Sequence, residues 1–256
     1  MAALDLPRAL DVARRAAQAG GAAAMRHFRT DLRIEKKPDR SPVTAADREA
    51  DAAIVGVIRG AFPDHAILAE ESGEHVGTDE SRWIVDPLDG TRGFTRGGTH
   101  WGPLVALEHE GEIVAGAMML PASGETFWAA RGMGAWKDGV RLRVSAVAEW
   151  EEATMQLGET RTLVGPPDGE GVVRLARTAA STRSFGDLAG AAALLEGRAD
   201  AWLESGVQVW DVAPLQILVE EAGGRFTDFA GNRTIEGVKF VATNGLLHAH
   251  VLAALV

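Results

Sequence analysis

The sequence predicts an α+β fold of layered helices and sheets, built as two abutting halves, 1–145 and 146–256. Three observations carry this. Two helical segments come first, a run of short strands with glycine turns occupies about 101 to 144, and helices then alternate with strands to the end. With 256 residues and 46% apolar content, the chain can bury a large core without staples.

The elements follow in order. Leu6, Leu10, Ala13, Ala17, Ala24 and Phe28 recur at helical spacing, with Gly20-Gly21 either weakening that helix or permitting close packing. Residues 29–43 are polar and rich in Lys and Pro, as in a loop or hairpin. Thr44 opens a second helix that runs to about Phe62 and turns Ala50, Ile54, Val57 and Ile58 inward. Residues 65–69 read as a short strand ending at Glu70, and the next strand ends at Asp86. The strands of the meander span 101–107, 113–120, 126–130 and 135–136. Beyond it, a strand is expected at 160–164, a helix at 171–178, another strand, and a helix at 184–196. A strand at 199–203 ends at Glu204, Asp211 begins a helix that stops at Gly223-Gly224, and two strands precede a last helix over 245–255.

Composition narrows the function. There is no cysteine, so disulfides, thiolate metal sites and cysteine nucleophiles are excluded. Net charge is −10, the opposite of a nucleic-acid-binding surface. The N-terminus lacks the pattern of a signal peptide, and no apolar run reaches the roughly 20 residues of a bilayer span. A cytoplasmic protein with no membrane or nucleic-acid partner is expected. No G-x-S-x-G nucleophile elbow is present. The seven histidines show no ligand spacing and read as structural or surface residues.

The most informative stretch is Trp83-Ile84-Val85-Asp86-Pro87-Leu88-Asp89-Gly90-Thr91. An apolar strand stops at two carboxylates, followed by a Gly-Thr step. Carboxylates at a strand end hold hard divalent cations, and N–H groups opening a turn or helix hold an anion. The same residue types also form ordinary turns, and the spacing matches neither an EF-hand loop nor the D-x-D-G-T of aspartyl-phosphate phosphatases. Glu70 and Asp211 likewise sit at element ends. If the strands ending at Glu70 and Asp86 are neighbours, their charges converge and need cations to compensate. From its own context, Asp211 reads first as a helix cap. Asp47 reads as the acid of a Thr44-x-x-Asp47 capping box, or as a base that orients water beside the Thr91 hydroxyl.

Four separated motifs then occur in order: Val43-Thr44-Ala45-Ala46-Asp47, Ala69-Glu70-Glu71-Ser72, the 83–91 string, and Trp210-Asp211-Val212-Ala213. This set resembles the inositol monophosphatase superfamily of Mg2+-dependent, lithium-sensitive phosphomonoesterases, with Ala69 in place of a usual glycine. The resemblance implies an α/β/α/β/α sandwich with an antiparallel-rich N-terminal sheet and a smaller C-terminal α/β half. It implies two or three Mg2+ held by Glu70, Asp86, the Leu88 carbonyl, Asp89 and Asp211. It also implies phosphate on the Gly90 and Thr91 N–H groups, and water oriented by Asp47 and Thr91. Hydrolysis is then by in-line attack of water, without a phosphoenzyme. A homodimer is implied as well.

For the substrate, Trp101-Gly102 before an apolar strand, Arg183-Ser184-Phe185-Gly186-Asp187 and the 219–228 segment resemble the histidinol-phosphate phosphatases of this superfamily. Asp187 and Glu204 are expected on the substrate side, facing an amine or sugar hydroxyls. Histidinol phosphate ranks first, inositol monophosphate next, and nucleotide or sugar bisphosphates after. A non-catalytic metal- or phosphate-binding protein would need a lost ligand, and none is lost.

Overall fold

The structure, a computed structural model, describes residues 4–31, 33–36 and 42–255. Residues 37–41 of the expected polar loop, Lys37 included, lie outside the described residues. Helix α1 (Leu6–Met25) precedes the short strands β1 (Glu35–Lys36) and β2 (Pro42–Val43), helix α2 (Ala45–Ala61), and strands β3 (Ala66–Ala69), β4 (Gly73–His75) and β5 (Ser81–Asp89). A single helical turn, α3 (Thr91–Phe94), leads into the meander β6 (Gly102–His109), β7 (Glu112–Leu120), β8 (Glu125–Ala130), β9 (Gly134–Lys137) and β10 (Val140–Arg141). The chain continues through β11 (Thr154–Leu157), α4 (Thr160–Leu163), α5 (Gly169–Thr178), β12 (Ser181–Arg183), α6 (Asp187–Leu195) and β13 (Ala201–Ser205). It ends with α7 (Val209–Glu221), β14 (Arg225–Asp228), β15 (Lys239–Thr243) and α8 (His248–Leu255).

The strands form an eight-stranded sheet in the order β10-β9-β8-β7-β6-β5-β3-β4 and a five-stranded sheet in the order β12-β11-β13-β15-β14, beside the small β1–β2 pair. In the larger sheet all pairings are antiparallel except β3 with β5. Side chains alternate along β5. Trp83 and Val85 join Ala13, Ile54 and Ile58 of α1 and α2, while Ile84 joins Leu188, Leu215 and Leu218 of α6 and α7. That double burial is why the strand reads as one apolar run. Trp202, Phe226 and Phe240 of the smaller sheet pack on the same central helices, and Met155, Leu203 and Val241 face α5 and α8. The layers are therefore helix, sheet, helix, sheet, helix, as expected.

Two devices set the helices where the site needs them. Gly20 and Gly21 do not break α1. A Cβ on Gly20 would stand 2.6 Å from Ile54 and one on Gly21 2.6 Å from Met119, so the pair permits close packing. At the far end of α7, Glu221 accepts hydrogen bonds from Gly132 and Gly134 N–H at 2.8 and 2.7 Å. Those bonds tie α7 to the meander and hold its other end, with Asp211, against β5.

The structure departs from the expected elements in several places. Residues 160–164 are not a strand. Thr160–Leu163 is a helical turn, with the Glu159 side chain accepting from Arg161 N–H, and the strand position belongs to 154–157. Alternating Thr160, Thr162 and Val164 mimic strand periodicity, but the turn chemistry wins. Strand β5 passes Asp86 and reaches Asp89 through a register shift. Glu204 lies inside β13 and not after it. Asp211 is the third residue of α7, whose cap is Gln208. Strand β4 was hidden in what reads as a charged loop. Among the described residues no helix is long and apolar enough to cross a membrane.

Candidate active site

A cleft of about 580 Å³ opens where the ends of β3 and β5 meet the start of α7. The parallel pairing of β3 with β5 sets Ala69 opposite Val85, so Glu70, just past the end of β3, comes beside Asp86 of β5. Leu88 N–H donates to Asp86 Oδ1 at 2.8 Å, which folds the bulge and turns Asp89 toward the same space. Asp211 arrives from α7, where its Oδ2 accepts from Gln208 N–H at 2.7 Å. One ligand atom each from Asp86, Asp89 and Asp211 lies within 4.8 Å of the others. Glu70 stands outside that tight group, on the cleft wall.

The electrostatics follow from burial. Desolvation, then the charges of Glu70, Asp211 and Asp89, push the Asp86 carboxyl well above the usual carboxylate range. Desolvation, then Asp211 and Asp187, do the same to Asp89. A group of acids in this state, with Asp86 buried and Asp89 and Asp211 half-buried, calls for positive charge. All the donors are hard oxygens, the set that suits Mg2+ or a similar divalent cation.

Beside the acids, Gly90 takes φ +81° and opens α3. A Cβ there would lie 3.1 Å from both Trp101 and Asp187, so the position needs glycine for space as well as conformation. The first turn of α3 rests on a buried aromatic group, with Phe94 edge-on to Trp101 at 4.6 Å and Phe28 tilted 5.2 Å from Trp101. The Thr91 hydroxyl is 3.0 Å from the Leu88 carbonyl and 3.1 Å from Asp47 Oδ1. Asp47 Oδ2 meanwhile accepts from Thr44 N–H and Thr44 Oγ1, both at 2.7 Å. The cap and the contact to Thr91 thus use different oxygens of one buried carboxylate.

The opposite wall carries Asp187 and Glu204. Asp187 has φ +42°, a left-handed conformation costly for a non-glycine residue. Burial raises its carboxyl; His100 opposes the rise and Glu159 adds to it. Burial pushes Glu204 up to about 7, although Glu159 and Ser205 N–H groups donate to its Oε1 at 2.8 and 2.9 Å. Glu159, Gly158 and His100 carried no motif in the sequence. Their only signal is three-dimensional: the first two follow β11, whose parallel pairing with β13 sets them beside Glu204, and His100 approaches Asp187. His65 and His248 are buried in hydrogen bonds, to Trp83 and to Thr227 with Thr243 respectively, in keeping with structural roles.

The model of the inositol monophosphatase family matches residues 5–256. The chain belongs to the inositol monophosphatase family. It is a phosphatase of that family. It is 37% identical to a histidinol-phosphatase of Chlorobaculum parvum over 98% of this chain and 96% of that protein. It is 40% identical to the Mycobacterium tuberculosis histidinol-phosphatase over 88% of each chain. An inositol-1-monophosphatase of Caulobacter vibrioides is 36% identical over 88% of this chain and 91% of its own. Among solved structures, the inositol monophosphatase of Anabaena superposes with a TM-score of 0.86 at 31% identity, covering 98% of this chain and 96% of that one. The names within the inositol monophosphatase family therefore differ in substrate while agreeing in fold.

Proposed function

We propose that this chain is a Mg2+-dependent phosphomonoesterase that converts histidinol phosphate to histidinol and phosphate. The convergence of Asp86, Asp89 and Asp211 beside the Thr91–Asp47 pair supports it most. Glu70, Asp86, the Leu88 carbonyl, Asp89 and Asp211 would hold two or three Mg2+. When bound, the ions supply positive charge to the phosphoryl oxygens and make a bound water more acidic.

The chain's own groups do the rest. Gly90 and Thr91 N–H groups cradle the phosphate at the start of α3. Asp47 Oδ1, with the Thr91 hydroxyl, fixes the attacking water in line with the leaving oxygen and takes up its proton as the new P–O bond forms; the ester P–O bond breaks and the leaving oxygen takes a proton from solvent. Thr44 holds the other Asp47 oxygen, so the accepting lone pair keeps its direction.

Seven carboxylates line the cleft against one guanidinium, Arg92, among the described residues. Four of the seven are assigned to metal. The remainder, Glu159, Asp187 and Glu204, face the organic part of the substrate and favour a cation there. Histidinol phosphate carries an amine and inositol phosphate does not. The histidinol-phosphatases of Chlorobaculum parvum, Mycobacterium tuberculosis and Streptomyces coelicolor support the same ranking. Inositol 1-phosphate is the second reading, because the same acids accept hydrogen bonds from hydroxyls and the Caulobacter relative carries that name. Nucleotide and sugar bisphosphates, with more negative charge, fit this wall worst.

A kcat/KM panel with Mg2+ over histidinol phosphate, inositol 1-phosphate, fructose 1,6-bisphosphate and adenosine 3′,5′-bisphosphate tests the assignment. A higher value for inositol 1-phosphate than for histidinol phosphate overturns it. Absence of turnover at every Mg2+ concentration points instead to a binding protein. The family reading carries with it a homodimer, to be tested by light scattering.

A further inference from the structure

We propose that Phe185 and His100 form an aromatic wedge at the cleft mouth that receives the flat ring of an amino-alcohol phosphate and so sets the preference for that ester. The inference rests on the substrate reading above and adds the residues that would read the ring.

Phe185 lies between Ser184 and Gly186, both of which line the cleft, and 55% of its surface is exposed. A single exposed phenyl is ordinary by itself. Its partner and its place make this one informative. The His100 ring stands 6.4 Å from it, centroid to centroid, tilted by 50°. The two planes therefore splay and leave aromatic faces to water. A third ring can approach such faces at the usual 4.5–7 Å. A protonated imidazole gains further from the phenyl face by cation–π attraction.

The wedge is anchored to the rest of the site through the backbone. His100 belongs to the loop that follows the phosphate cradle at Gly90–Thr91, and Phe185 precedes Asp187 in the loop that enters α6. His100 is also close enough to Asp187 for their charges to interact. One ligand can then place its phosphate on α3, its amine at Asp187 and Glu204, and its ring in the wedge. A polyol phosphate has no flat face and no positive charge to offer there.

The test is a comparison of Phe185→Ala, Phe185→Tyr and His100→Ala with the parent enzyme, using histidinol phosphate and glycerol 2-phosphate as paired substrates. The expected result for Phe185→Ala is a KM for histidinol phosphate raised about tenfold with kcat nearly kept. The ratio of kcat/KM values, histidinol phosphate over glycerol 2-phosphate, falls by the same factor. Phe185→Tyr restores the ratio, and His100→Ala lowers it about threefold. Calorimetric binding of histidinol, which has ring and amine but no phosphate, weakens in parallel. An equal loss on both esters, or an unchanged ratio, overturns the wedge while leaving the substrate reading intact. A parent enzyme that hydrolyses glycerol 2-phosphate but not histidinol phosphate overturns both.

Discussion

The Thr91 hydroxyl lies 3.1 Å from Asp47 Oδ1, while Oδ2 of the same carboxylate caps helix α2 through Thr44. The helix cap and the water-orienting role proposed for Asp47 are compatible, because a carboxylate has two oxygens. The cap fixes the direction of the edge that faces Thr91. This separation makes the two roles independently measurable.

Asp47→Asn should lower kcat by about 10²–10⁴-fold, the usual scale for lost acid–base assistance. Melting should change little, since an amide oxygen can still accept from Thr44. Asp47→Ala should lose the same activity and about 1 kcal/mol of stability besides, the value of a typical cap. Paired melting curves and single-turnover rates separate the two. If Asp47→Asn retains full activity, Asp47 has no role beyond α2.

Removing one acid from the crowded group should have opposite effects with and without metal. In EDTA, Asp86→Asn should melt above the parent, because desolvation and the charges of Glu70, Asp211 and Asp89 disfavour its ionised form. With Mg2+ the order should invert. The parent should gain about 2.7 kcal/mol at a hundredfold excess over Kd, and the variant little. Thermal shifts at a series of Mg2+ concentrations check this. Identical Mg2+ responses would mean that these acids hold no cation.

Gly158→Ala probes the organic wall without removing a charged group. A Cβ at this position would stand 1.7 Å from Glu204 Oε2, so the carboxylate must move. We expect KM for histidinol phosphate to rise about tenfold, equivalent to about 1.4 kcal/mol, with kcat within a factor of two. Steady-state kinetics decide it; a fall in kcat at constant KM would place Glu204 in the chemistry and not in binding.

His248 should make the fold acid-sensitive. Burial pushes its imidazole from 6.5 down to about 4, with Arg225 adding to the effect. Its two ring nitrogens face the Thr227 and Thr243 hydroxyls at 2.9 and 3.0 Å. As pH falls from 6.5 toward 4, the unfolded chain gains a proton that the folded one refuses. Stability is therefore lost across that window, by about 1–3 kcal/mol, and levels off below it. Urea unfolding of the parent and His248→Gln at pH 7, 5.5 and 4.5 isolates the contribution. A stability difference between the two that does not narrow with acid rules it out.

Much of the site was legible locally. Asp86, Asp89, Gly90 and Thr91 form one loop, and the Thr44–Asp47 box is a short-range pattern, so neighbouring residues specify both. Strand β5 was readable because it is buried on both faces. Misreadings arose where a local pattern suits two structures, as at Thr160, Thr162 and Val164, or where a strand borrows its stability from a partner, as β4 does from β3. Glu159 had no sequence signature, and the 183–187 segment pointed to a substrate class without showing that Phe185 stands beside His100.

By itself the chain's order of residues determined most of the helices and strands, that no thiol chemistry is open to it, and which acids were candidates for a site. Those properties depend on interactions a few positions apart. Tertiary structure alone decided that Asp211 meets Asp86 and Asp89, that Thr91 reaches Asp47, and that Asp187 and Glu204 share the facing wall. Such meetings depend on strand order and on helices α6 and α7 being clamped between two sheets, and burial forces that packing only when the whole chain has closed around its core.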